Sequence, residues 1–239
     1  MTAWLFRDDA YQTSTDAIVL DIDQHTVRLD RTVFYPNGGG QPGDSGWLEH
    51  PDGRRLRIRD TVKGEQPDEI VHLLDPDADL SGFAPGTSLR AVLDWERRHR
   101  HMRYHTCLHL LCAVIPAPVT GGQVASDKAR LDFAIEMAAL DAAAIEARLN
   151  ALIAAASPVE SRWIDDAELD ANPQLVRTMS VQPPRGQGRV RLIAIDGIDL
   201  QPCGGTHVRN TAEIGPVVVQ KIKSEGKRNK RVVIAFAGE

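Results

Sequence analysis

Two pairs of metal-binding side chains, far apart in the chain, limit what this sequence can fold into. The first is His105-Thr106-Cys107-Leu108-His109, inside the apolar run 104–114. That run reads as a helix, and helix residues four apart stack on one face with Cβ atoms roughly 5–6 Å apart. His105 and His109 can therefore share one ion. The second is Cys203-Gly204-Gly205-Thr206-His207, a thiol and an imidazole around two glycines. Three imidazoles and a thiolate suit Zn²⁺, and a fold that uses them must bring the helix against 203–207. One His pair alone would equally suit a core or a surface; the second pair is what favours a metal. Thr106 stands where the HExxH protease pattern has its general-base Glu, so zinc chemistry here needs another group to handle protons. Cys107, two residues from His105, points away from the His face. Cys112, three from His109, borders it, and both read as core cysteines.

With 239 residues, the chain has room for one large or two modest domains. No apolar run reaches the roughly 18 residues of a membrane span, and residues 1–12 lack the apolar stretch of a signal peptide. Three cysteines do not suggest a disulfide framework. A cytoplasmic location, where thiols stay reduced, is expected. The net charge of −5 argues against a nucleic-acid binder, yet basic residues cluster locally. Arg97, Arg98, Arg100 and Arg103 precede the His pair, and Lys221, Lys223, Lys227, Arg228, Lys230 and Arg231 gather near the C-terminus. Local patches of this kind can contact phosphates on an acidic protein.

Residues 1–90 read as all-β. Alternating segments at 17–23, 26–29, 54–58, 69–74 and 89–93, separated by turn residues, predict a small barrel or sandwich. The stretch 34–46 interrupts them with Gly38-Gly39-Gly40-Gln41 at its centre, flanked by Phe34-Tyr35-Pro36 and Asp44. It reads as a structured loop that faces a partner or packs on the second domain. A boundary near residue 90 separates this part from 91–239, which reads as helices on one face of an antiparallel sheet. Helices are predicted at 95–115, ended by Pro116, at 141–157 with a stripe of Ile145, Leu149, Leu152 and Ala156, and at 165–177. Strands are predicted at 159–164, 190–195, 215–222 and 231–236. Residues 120–123 and 182–188 read as turn and loop, and 224–230 as a basic hairpin.

The segments His105–Leu111, Leu131-Asp132-Phe133 and Cys203–Pro216, with the glycine-rich loop 34–46, occur in the order found in the editing domain of alanyl-tRNA synthetase. The chain resembles that domain and its free-standing relatives, the AlaX family, in their medium-length form, over essentially its whole length. No class II aminoacylation module is expected. Cys107 departs from the family, which often has a small residue there. The resemblance implies an α+β protein: a small N-terminal β-barrel, 1–90, followed by an α/β editing domain, 91–239. It implies one zinc per chain on His105, His109, Cys203 and His207. It implies hydrolysis of serine, and possibly glycine, wrongly attached to tRNA(Ala). No DNA, membrane or protein partner is expected.

Ester hydrolysis needs a nucleophilic water and a stabilised oxyanion. Backbone amides of Gly204-Gly205 or Gly38–Gly40 are candidates for the oxyanion. Thr106, Thr206 and Gln41 are candidates to contact the serine hydroxyl. Arg97, Arg98, Lys227, Arg228, Lys230 and Arg231 are candidates for phosphates. The general base is not identified by sequence. A zinc hydrolase of small esters or amides, or a non-catalytic zinc-containing RNA-binding module, would share the ligand set.

Overall fold

The structure is a computed structural model that describes residues 2–66, 68–176, 188–226 and 228–238. Contacts divide the chain into two compact units, Met1–Arg100 and His101–Glu239.

The first unit contains β1 (Ala3–Trp4), β2 (Ser14–Ile22), β3 (Thr26–Leu29), β4 (Arg31–Thr32), β5 (Gly46–Glu49), β6 (Arg55–Lys63), β7 (Ile70–Leu74) and β8 (Ser88–Leu93). Of the two sequence readings, barrel and sandwich, it is a barrel: β2-β3-β7-β6-β5-β8 closes on itself, while β1 and β4 form a short parallel pair. Alternation does the work, since side chains along a strand point to opposite faces. Leu89, Ala91 and Leu93 of β8 and Leu56 and Ile58 of β6 point inward, where they pack with Val19, Val27, Leu29 and Leu48. Strand β5 was not expected, because the glycine-rich run beside it hides its short alternation.

The glycine-rich loop is structured. Gly38 and Gln41 exchange backbone hydrogen bonds at 3.1 and 3.0 Å, and Gly39 and Gly40 between them have φ of 59° and 84°. Positive φ at both central turn positions is strained for residues with a Cβ and natural for glycine. The Tyr35 hydroxyl donates to Gly38 O at 2.8 Å, and Tyr35 N donates to the Asp44 carboxylate at 2.6 Å.

A fully buried histidine ties the barrel wall. Its Nε2 lies 2.8 Å from Thr32 Oγ1, its Nδ1 lies 3.1 Å from Val27 O, and Thr32 Oγ1 accepts from Phe34 N. His72 Nδ1–H must donate to the carbonyl, so Nε2 accepts from the threonine hydroxyl and the ring is neutral. Burial lowers the His72 pKa to about 4, against a smaller upward pull from the Val27 carbonyl. Between pH 6.5 and 4 the unfolded chain therefore binds a proton that the fold does not. This contribution to stability is complete above pH 6.5 and is lost as pH falls toward 4, about 3 kcal/mol in all. Urea unfolding across that window should show the loss, and His72→Gln should flatten the slope. An unchanged slope in the variant would exclude His72 as its source.

Helix α1 (Trp95–Val114) starts where the Asp94 carboxylate accepts from Arg97 N, an N-cap, and stops before Pro116, which cannot continue it. The division between units falls inside it, at Arg100. The expected boundary near residue 90 lies earlier, inside β8. The difference has a physical cause: Arg97 donates to Gly43 O at 3.1–3.2 Å, and Arg98 pairs with Asp44, so the first turn of α1 belongs with the barrel.

The second unit continues with β9 (Val119–Val124), β10 (Ala129–Ala134), α2 (Ala142–Ala154), β11 (Val159–Asp165), α3 (Asp166–Ala171), β12 (Arg189–Ile195), β13 (Asp199–Pro202), β14 (Val217–Ser224) and β15 (Asn229–Phe236). Its described strands form two antiparallel sheets rather than one, β14-β15-β10-β9 and β11-β12-β13. Tyr104 of α1 stacks on Phe236 of β15 at 3.9 Å between ring centres. Asn150 of α2 bonds both N–H and C=O of Val217, and Glu146 accepts from Val219 N. These side chains complete the exposed edge of β14.

Several expectations are corrected. Residues 120–123 are inside β9, not a turn; Gly121 and Gly122 pair with Asp132 and Leu131 of β10. The buried stripe of α2 is Ile145, Leu149 and Ile153, because the helix ends before Ala156, which has φ of 53°. Helix α3 is shorter than expected because Pro173 opens a separate 3-10 turn at Pro173–Leu175. Strand β13 was not expected. The loop at 182–188 lies almost wholly outside the described residues. No described helix is long and apolar enough to cross a membrane.

Candidate metal centre

Helix α1 carries His105 and His109, and the segment leaving β13 carries Cys203 and His207. One ligand atom from each lies within 4.8 Å of the others. Cys203 Sγ is 3.5 Å from His105 Nε2 and 3.3 Å from His207 Nε2. Zinc bonds of about 2.0–2.1 Å to nitrogen and 2.3 Å to sulfur put tetrahedral ligand atoms roughly 3.3–3.6 Å apart. The sulfur-to-nitrogen edges already have that length, so the residues fit the ion.

The ring nitrogens turned away from the cluster are held. His109 Nδ1 lies 2.9 Å from Asp199 Oδ2, and Gln201 donates to the same carboxylate oxygen at 2.8 Å. His207 Nδ1 lies 3.1 Å from Thr106 Oγ1, which also accepts from Val208 N. Each Nδ1–H thus has an acceptor, which turns each Nε2 toward the centre. Such outer partners fix tautomer and ring orientation. Arg191 Nη1 donates to Cys203 O at 3.1 Å and Gly205 O at 2.8 Å, and Gly205 N donates to Cys203 Sγ. Downstream, Asn210 and Glu213 form a capping box around the turn Thr211–Ile214, which anchors the segment after His207.

Burial opposes ionisation of the Cys203 thiol, but the His105 and His207 rings overcome it and hold its pKa well below that of an ordinary thiol. Burial would depress His109; Asp199 and Cys203 outweigh it and raise its pKa to about 9. Burial, followed by the charge on His105, holds His207 well below the usual imidazole value. The thiolate needed for a soft metal is thus favoured by the site itself.

The other sequence candidates separate. Thr106 is fully buried and its hydroxyl holds His207. Cys107 is buried, faces away from the cluster, and burial pushes its thiol up to about 12. Thr206 and Gln41 are buried. The Gly205 amide is used on sulfur, which leaves Gly204 as the amide donor of that pair. Arg98 is corrected: it is fully buried and cannot meet a phosphate. Lys230 is buried, with Nζ bonded to Gly226 O, and Arg231 is held by Asp132 and Glu225. Arg228 is exposed, and Lys227 lies outside the described residues. Sequence reading missed Asp199 and Gln201. Their signal was present: residues two apart on a strand share a face, so Asp199, Gln201 and Cys203 point the same way.

This assembly, a barrel unit followed by a sheet-and-helix unit with a His₃Cys centre, defines a class related to aminoacyl-tRNA synthetases. Residues 6–97 match the family described as tRNA synthetases class II (A), and residues 190–233 match the threonyl and alanyl tRNA synthetase second additional domain. The alanyl-tRNA editing protein AlaX-M of Methanosarcina barkeri is 36% identical over 97% of this chain and 98% of its own length. That of Saccharolobus solfataricus is 33% identical over the same shares. An alanine–tRNA ligase of Saccharolobus islandicus is 31% identical over 93% of this chain, which spans 25% of that longer protein. The chain belongs to the AlaX-M family of alanyl-tRNA editing proteins.

Proposed function

We propose that this chain hydrolyses the ester joining a wrong amino acid to tRNA(Ala), serine chiefly and glycine as a second substrate. The observation that carries the reading is the four-ligand centre with its held tautomers, in a chain whose relatives are named for alanyl-tRNA editing. The proposed ion is zinc, one per chain. When bound, it would polarise the ester carbonyl or lower the pKa of a water. His105, His109, Cys203 and His207 would hold the ion, a four-ligand set typical of closed zinc sites.

The chain's own groups have defined tasks. Asp199 and Thr106 keep the His109 and His207 rings in place. The Gly204 amide is the proposed oxyanion donor. Gln41 and Thr206 are proposed to favour serine over alanine, because a site built to pair with a hydroxyl rejects the analogue that lacks one. Arg228 and Lys227 are retained as phosphate contacts.

Deacylation of Ser-, Gly- and Ala-tRNA(Ala), measured side by side, tests the reading. Serine should be released faster than alanine by up to about 10⁴-fold, and Gln41→Ala should narrow the ratio. Equal rates for serine and alanine would end this account of selectivity. Turnover of small seryl esters without RNA would favour the small-ester hydrolase instead, and RNA binding without turnover the non-catalytic module.

A further inference from the structure

Trp163 stands 45% exposed on β11, the edge strand of the sheet β11-β12-β13. Its place in the sheet relates it to the metal centre. Ile195 pairs with Asp199 and Ile193 with Gln201; the row continues where Cys203 N donates to Arg191 O at 3.0 Å. On the other side Val159 pairs with Ile195, Ser161 with Ile193 and Trp163 with Arg191. Cross-strand partners share a face, so Asp199, Gln201, Cys203, Arg191 and Trp163 belong to one face. The opposite face packs Ile164, Val190 and Leu192 on Leu169 of α3. Trp163, Arg191 and Cys203 thus form one row across the sheet. The indole stands at its open end, two strand spacings or about 10 Å from the Cys203 backbone. The guanidinium between them is the one that grips Cys203 O and Gly205 O.

We propose that Trp163 is a stacking platform for an unpaired base of the RNA 3′ end, just upstream of the nucleotide that carries the ester. The proposal rests on the editing reading above, since that reaction brings a single-stranded 3′ end to the metal centre. Burial elsewhere leaves this indole exposed on the ligand-bearing face. Its surroundings do not form an apolar patch: on the same face its strand neighbour Ser161 is exposed and its cross-strand partner is Arg191. A protein partner would need a larger apolar core. One indole next to a cation suits the π-face of a base and its phosphate.

The test compares wild type, Trp163→Ala and Trp163→Phe on Ser-tRNA(Ala). It also measures binding of an uncharged stem-loop RNA with an unpaired 3′ overhang and of the same stem-loop with a blunt end. Loss of one base–aromatic stack should raise KM roughly 5- to 150-fold in Trp163→Ala, with kcat and metal content unchanged and most of the loss restored by Phe. Overhang binding should weaken in parallel, and blunt-end binding should not. A KM within about twofold of an active wild type overturns the platform while leaving the editing function standing. So does equal weakening for both RNAs, loss of metal, or a change of oligomeric state in light scattering. An inactive wild type overturns the editing reading instead; the overhang-specific effect of Trp163→Ala on binding then still upholds or refutes the platform by itself.

Discussion

Cys203→Ala should lower metal affinity by well over 100-fold and abolish deacylation. Cys203 is the only ligand of the four with a formal negative charge, and its Sγ lies 3.5 Å from His105 Nε2 and 3.3 Å from His207 Nε2. Without it, three neutral rings remain, and the charge that keeps the centre balanced is gone. Asp199→Ala should be milder, roughly 10- to 100-fold in affinity or activity, because it removes only the group that orients His109. Cys107→Ala should leave metal content untouched, since that thiol faces the core. Elemental analysis after dialysis against a mild chelator, alongside initial deacylation rates, gives the order wild type, Cys107→Ala, Asp199→Ala, Cys203→Ala. Full metal retention by Cys203→Ala would remove the centre as described. A Cys107→Ala protein without metal would mean that the ligands had been wrongly chosen.

Removing one partner of the buried Arg98–Asp44 pair should destabilise the barrel unit by about 3–5 kcal/mol. Both side chains are almost wholly buried. Arg98 Nε donates to Asp44 Oδ2 at 2.8 Å, Nη1 to Ala10 O at 2.9 Å and Nη2 to Val33 O at 2.6 Å. The same carboxylate accepts from Tyr35 N. One guanidinium therefore joins the N-terminal segment, the start of the glycine-rich loop and its end. Arg98→Met leaves a buried carboxylate without its countercharge and takes the guanidinium donors from the Ala10 and Val33 carbonyls, and Asp44→Leu leaves a buried cation. Either should lower the midpoint of thermal unfolding by roughly 10 °C. The double variant should recover part of the loss, because an apolar pair removes the uncompensated charge. Single variants within about 1 kcal/mol of wild type would show the pair to be energetically idle.

Much of this protein was legible in its residues. Period-two alternation marked most of the barrel strands, because a half-buried strand must alternate. The apolar run around His105 marked a helix, and its two histidines shared a face by the helical repeat alone. The four ligands were identifiable because each pair is local: the spacing of four operates within one element, where geometry follows from the backbone. Strand β13 escaped because it is short and mixed, and with it went Asp199 and Gln201. Arg97, Arg98, Lys230 and Arg231 looked like a phosphate surface because charge in a sequence carries no direction. Only the folded chain turned Arg98 inward to Asp44 and paired Arg231 with Asp132. Thr106 similarly became a support for His207 through a contact between residues far apart in the chain. What the sequence by itself determined was therefore the set of elements and the ligand pairs they carry, both products of short-range periodicity. Which charges are free, which hydroxyls are occupied and how each imidazole is oriented were decided by the tertiary structure, because those properties depend on partners that no local spacing specifies.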